Sequence, residues 1–121
     1  MVDKSYSELE VWQKSMDLAV NVYAMIKNLP EEEQHVLSDQ IRRAAISIPS
    51  NIAEGQQSNT TKDFIHFIYI AKGSLGELET QIKLCECLEY LEKTDTTQLL
   101  IQCSEIGKML NGLINKLEGK I

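Results

Sequence analysis

Two carboxylate-x-x-histidine pairs, Glu32 with His35 and Asp63 with His66, are the residues of this chain whose types and spacing could hold a metal. Positions three apart share a helix face, and in four-helix bundles paired Glu-x-x-His motifs supply the ligands of di-iron carboxylate centres. That chemistry needs both pairs at one level. Here each pair falls in the first turn of one of two consecutive predicted helices. In an antiparallel arrangement the pairs then lie at opposite ends of the bundle, tens of ångströms apart at ~1.5 Å per residue. His66 also falls off the apolar line of Phe64, Ile68 and Ala71. Surface positions near helix N-termini are the expectation, with no metal or other cofactor.

Nucleophilic chemistry lacks its parts as well. With two histidines, no glycine-rich elbow and no phosphate loop, nothing pairs a nucleophile with a base. Cys85, Cys87 and Cys103 are an odd set for a disulfide framework. Cys85 and Cys87 point about 200° apart on a helix and cannot share a metal. Reduced thiols that pack as small hydrophobes are expected, and the chain reads as a non-enzyme.

The remaining polar constellation lies on the second and third predicted helices. At ~100° per residue, Gln40, Ser47, Asn51 and Glu54 line one strip beside the apolar arc, with Arg43 next to it. Ser74, Glu77 and Gln81 flank the next helix in the same way. If the chain turns back near residue 58, Gln40 and Arg43 come level with Ser74 and Glu77, which makes an Arg43–Glu77 ion pair the expectation. The strip is either a binding site or a half-buried polar network that fixes helix register and subunit contacts. Arg42 and Arg43 are the only arginines, a potential phosphate clamp, yet neighbours on a helix point ~100° apart. A surface ion pair is expected for Arg42.

Four elements must position these residues. Ser7 and Glu10 spell a capping box for a first helix over about 8–28, with Leu9, Trp12, Met16, Ala19, Tyr23 and Ile26 as its seam and Val11, Leu18, Val22 and Met25 as a second apolar line. Pro30 and three glutamates open a second helix over 31–54 on Leu37, Ile41, Ala44, Ala45, Ile48 and Ile52. Its phase runs through Pro49, which predicts a kink, and Gly55 is the expected terminator. Thr60 and Asp63 cap a third helix over 61–91 on Phe64, Ile68, Ala71, Leu75, Leu78, Ile82 and Cys85. Asp95 and Gln98 open a fourth over 96–118 on Leu99, Cys103, Ile106, Leu110, Leu113 and Leu117. Gly73, Gly76, Gly107 and Gly112 fall inside these helices, as close-approach points or as weak spots of about 1 kcal/mol each. One all-α domain over 1–121 follows, an up-down-up-down antiparallel four-helix bundle with a kinked second helix.

The net charge of −6 withholds the basic footprint that nucleic acids and anionic membranes require. Residues 1–17 lack the apolar run of a signal peptide, and no window approaches eighteen apolar residues, so a soluble cytoplasmic protein is expected, with no membrane partner. Ile46 points about 150° away from the core arc of its helix, near Pro49, and the first helix has a second apolar stripe. Surplus apolar surface predicts a partner, and a second copy of the chain is the simplest one.

The stretches LEVWQKSMDLAVNVY (9–23), LPEEEQHVLSDQIRRAAISIPSNIAEG (29–55) and DFIHFIYIAKGSLGELETQIKL (63–84) resemble the bacterial four-helix bundle family described as 23S rRNA intervening sequence proteins, also labelled S23 ribosomal proteins. The resemblance covers nearly the whole chain. It implies a left-handed bundle, relatives that assemble as homopentameric barrels, and kinship with the accessory variability determinant of diversity-generating retroelements, which partners a reverse transcriptase and binds nucleic acid. The leading expectation is a non-enzymatic, self-assembling interaction or scaffold protein, pentameric by resemblance. The alternative is an RNA- or ribonucleoprotein-binding accessory that uses Arg42, Arg43 and nearby lysines.

Overall fold

The computed structural model describes residues 5–121, so residues 1–4 of the expected domain lie outside the described part. The chain folds into α1 (Glu10–Ile26), α2 (Leu37–Gln57), α3 (Thr61–Cys87) and α4 (Lys93–Glu118), with 3-10 turns at Tyr6–Glu8 and Glu31–Glu33 and no strand among the described residues. Consecutive helices pack side by side and α1 closes against α4, the up-down-up-down arrangement of an all-α four-helix bundle. No helix among the described residues is long and apolar enough to cross a membrane.

α1 differs from expectation in both start and phase. The Ser7–Glu10 capping box does not form: Leu9 occupies the cap position with extended backbone and no side-chain cap. The Ser7 hydroxyl instead shares a 2.6 Å hydrogen bond with that of Ser5. The buried line is Val11, Ser15, Leu18, Val22 and Ile26, close to the stripe read as secondary. Trp12 and Ala19 are half-buried, while Met16 and Tyr23, assigned to the seam, are 40% and 39% exposed. Ser15 can occupy the core line because its hydroxyl donates to the Val11 carbonyl at 2.7 Å and brings no unmet polar group inside.

Pro30 and the glutamates form a separate 3-10 turn, and α2 begins only at Leu37. Gln34 Nε2 fixes this longer connection by donating to the carbonyls of Ile26 (3.1 Å) and Leu29 (2.9 Å), which closes the C-terminal end of α1. α2 then passes through a buried Pro49 as one assigned helix and buries Ile41, Ala44, Ala45, Ile48 and Ile52 as expected. Gly55 is not its terminator. The helix runs on to Gln57, and Gly55 is instead buried where α2 packs closely against Phe64 and Phe67 of α3.

The Asp63 amide donates to Thr60 Oγ1 at 3.0 Å, so α3 has its expected cap. Its core line also matches, except that Ile65 is buried and Phe64 only partly. α3 ends at Cys87, short of residue 91, in a left-handed Glu89 (φ 60°). The Tyr90 amide reaches back to the Cys85 carbonyl and that of Glu89 to Glu86, the Schellman pattern with glutamate where glycine is usual. In α4, which begins at Lys93, Ile114 is buried in place of Leu113. Added Cβ atoms on Gly73, Gly76 and Gly112 would meet nothing within 4 Å, so the chain's own packing does not need those glycines.

Candidate functional site

The α2–α3 contact joins three of the predicted strip residues and leaves the rest apart. Ser47 and Ser74 share a hydroxyl–hydroxyl hydrogen bond of 2.7 Å. Asn51 Nδ2 donates to both the carbonyl (2.8 Å) and the hydroxyl (2.9 Å) of Ser47. Ser47 opposite Ser74 centres the helix reversal on residues 60 and 61 rather than 58, which places Gln40 nearer Gln81 than Ser74. Gln81 is half-buried, with an Oε1 that accepts no hydrogen bond from the described residues.

Gln40, Arg43, Glu54 and Glu77 are exposed, outside this network. The expected Arg43–Glu77 ion pair is not formed, and both side chains are exposed to water. The joined residues carry no ionisable group. Their hydrogen bonds tie α2 to α3 at one level.

The two arginines divide as helix geometry requires. Arg42 Nη1 donates to Asp39 Oδ1 at 2.9 Å, and its guanidinium lies 5.7 Å from the centre of the Tyr23 ring on α1. Arg43 makes neither contact. Glu32 lies in the 3-10 turn and His35 in the connection before α2, whereas Asp63 and His66 lie on the first two turns of α3; all four are exposed. Among the described residues no group of three His, Cys, Asp or Glu side chains is placed to hold a metal ion. Cys85 and Cys103 are buried, and loss of solvation pushes their thiols up to about 11 and about 12, away from the reactive thiolate. Cys87 is exposed.

The feature that the strip reading did not capture is an open, mostly apolar groove of about 320 Å³ between α1 and α2, lined by Tyr6, Trp12, Met16, Ile46, Pro49, Ala53 and the polar Ser50. The Tyr6 ring stands edge-on to Trp12 at 5.4 Å and forms one wall. Met16 and Ile46 are 40% and 45% exposed, and Val20 beside them is 65% exposed. Its sequence signal was the pair of apolar stripes on the first helix together with Ile46. One stripe had to face outward, and the structure turns out the one with Trp12, Met16 and Tyr23.

A family model described as "23S rRNA-intervening sequence protein" matches residues 7–112. The chain belongs to this family. A crystal structure from Bacteroides thetaiotaomicron VPI-5482, described as a protein with unknown function from the S23 ribosomal protein family, is 32% identical. The alignment covers 86% of this chain and 97% of that one, with a TM-score of 0.80. Among curated proteins none matches. The segment shared with the intervening-sequence protein family contains the Ser47–Ser74 seam and every groove residue except Tyr6.

Proposed function

We propose that this intervening-sequence family member is a non-enzymatic, self-assembling interaction protein of the cytoplasm, with the α1–α2 groove as the seat of a second copy. The observation that carries this reading is the groove: apolar side chains of two helices stand around an open cleft where a lone chain would place polar ones. Each such side chain gains about 1.5–3 kcal/mol on full burial, so covering three or four drives association despite its entropic cost. The resemblance to pentameric relatives sets the expected copy number at five. RNA binding, the other reading the family description raises, finds little support in a chain of net charge −6 whose Arg42 is already engaged by Asp39 and Tyr23.

Light scattering at micromolar concentration tests the proposal. A mass several times the 13.7 kDa chain is expected, falling to a single chain in Met16→Glu and Ile46→Glu with helix content unchanged. A wild-type monomer would overturn the reading.

A further inference from the structure

We infer that the surface shared by α3 and α4 docks an acidic helical segment of another protein. It lies across the bundle from the α1–α2 groove and stands apart from the self-assembly reading. Thr96 Oγ1 on α4 donates to Glu86 Oε2 on α3 at 2.9 Å, and a Cβ on Gly107 would meet Leu75 at 3.4 Å, which fixes the facing sides of the two helices and their level. At ~100° per residue, Lys62, Lys72 and Lys83 then follow the α4 side of the outer surface of α3, and Lys108 stands on α4 near the level of Lys72. All four are exposed, and none forms an ion pair with the described residues. The positions between the lysine rows are short and uncharged: Gly76 and Thr80 on α3, Ser104 and Asn111 on α4, each exposed. A Cβ on Gly76 would meet nothing within 4 Å, so the floor is open to a close neighbour. Tyr69, 49% exposed with Lys72 Nζ 6.0 Å from its ring centre, and Ile101, 56% exposed, add apolar anchors.

This surface is opposite in sign to the chain as a whole, whose net charge is −6. Its own carboxylates are the half-buried Glu79 and Glu86, and Glu86 is engaged by Thr96. Of the exposed acids next to it, Glu77 lies about 100° round the helix from Gly76, toward α2, and Glu105 is held by Lys14 of α1 at 3.1 Å. Lys62, Lys72 and Lys83 are spaced by about 15 and 16 Å, close to three helical turns, so a helix laid along the face meets them with carboxylates from one of its own sides. Exposed Glu118 closes the strip at one end, and Glu89 and Glu92 close it at the other. That length suits a segment of roughly twenty residues, whereas a nucleic-acid backbone of unbroken charge would run on against those acids. Tyr69 is the only exposed Phe, Tyr or Trp ring on the two helices, too few to stack successive bases. Complementary charge with two apolar anchors selects an amphipathic acidic helix.

Fluorescence anisotropy with a labelled synthetic peptide tests this, the probe being about twenty residues long with glutamates flanking a leucine and alanine stripe. A single-stranded oligonucleotide of equal charge is the comparison ligand. The triple variant Lys72→Glu, Lys83→Glu, Lys108→Glu spoils the face. Lys27→Glu, Arg43→Glu, Lys116→Glu makes the same change in net charge at exposed positions elsewhere. Circular dichroism checks the folding of both. Wild type is expected to bind the peptide below ~1 mM at low salt, and the face variant to lose about ten-fold or more. The control variant is expected to lose less than about three-fold, the share that long-range charge alone supplies. No binding by wild type, equal losses in the two variants, or tighter binding of the oligonucleotide overturns the inference. Light scattering separates the remaining occupant: equal masses for wild type and face variant are expected, and a face variant that alone loses assembled mass assigns the surface to a second copy and overturns the inference.

Discussion

Gly55 on α2 and Phe64 on α3 approach so closely that a Cβ added to the glycine would lie 2.9 Å from Phe64 Cδ1, with the Phe67 Cβ at 3.0 Å. Helix propensity alone favours alanine over glycine by about 1 kcal/mol. At Gly55 that gain is opposed by overpacking of about 1–3 kcal/mol, since the Phe67 Cβ and the Phe64 carbonyl move only with the α3 backbone. Gly55→Ala is expected to lower stability by about 1 kcal/mol net. Gly112→Ala, in open space, is expected to raise it by about 0.5–1 kcal/mol. Urea denaturation midpoints of the two variants should move in opposite directions; a shared upward shift would mean that α2 and α3 separate freely at this point.

The adjacent arginines should likewise part company. Arg42 bridges α2 to α1 through the Tyr23 ring and holds Asp39 one turn away. A partly exposed cation–π contact contributes about 0.5–1 kcal/mol and an i,i+3 ion pair a few tenths, so Arg42→Ala is expected to cost about 1 kcal/mol. Arg43→Ala should stay within about 0.5 kcal/mol of wild type, as ordinary surface substitutions do. Repeating the denaturation in 1 M salt should shrink only the ion-pair part of the Arg42 loss. Equal losses at both positions would contradict the division of roles.

How far the sequence could be read depends on how many solutions its patterns allow. α2, α3 and α4 each carry one dominant apolar line, and Ile41 to Ile52, Ile68 to Cys85 and Leu99 to Leu110 are buried as that line predicts. α1 carries two lines about 120° apart, and periodicity cannot rank them. The deciding residue is Ser15, which looks polar in the sequence but meets its own hydrogen-bonding need inside the helix. Caps were misread where competitors sit nearby. Ser7 had Ser5 as an alternative partner, and Pro30 with three glutamates suits a 3-10 turn as well as a helix start. In the polar strip, helix angle put Ser47 and Asn51 on one strip and Ser74 on the facing one, but the expected level set Ser74 beside Gln40, and it is Ser47 that meets it. The contact between Arg43 and Glu77 depended on how far apart the helices stand, which side-chain size at the seam decides and no strip diagram contains. Gly55 was placed at the right end of α2 and given the wrong reason, because a glycine that stops a helix and one that admits a phenylalanine are spelled alike.

The cysteines make stability depend on alkaline pH with a fixed sign. Burial holds the Cys85 thiol up to about 11 and the Cys103 thiol up to about 12, against an ordinary value of 9.0. Between these limits the folded chain keeps protons that the unfolded chain has released, so the slope of unfolding free energy with pH is negative. The contribution is complete below pH 9 and drains away as pH rises through 11 and 12. Urea midpoints measured from pH 8 to pH 11 should therefore fall, and the double variant Cys85→Ala, Cys103→Ala should fall less steeply from its lower starting stability. Under native conditions at pH 8 a thiol reagent should modify one cysteine rapidly, the exposed Cys87, and reach the other two only after unfolding. Rapid native labelling of Cys103, which lies mid-helix in the buried line of α4, would mean that the bundle opens locally far more often than its packing implies.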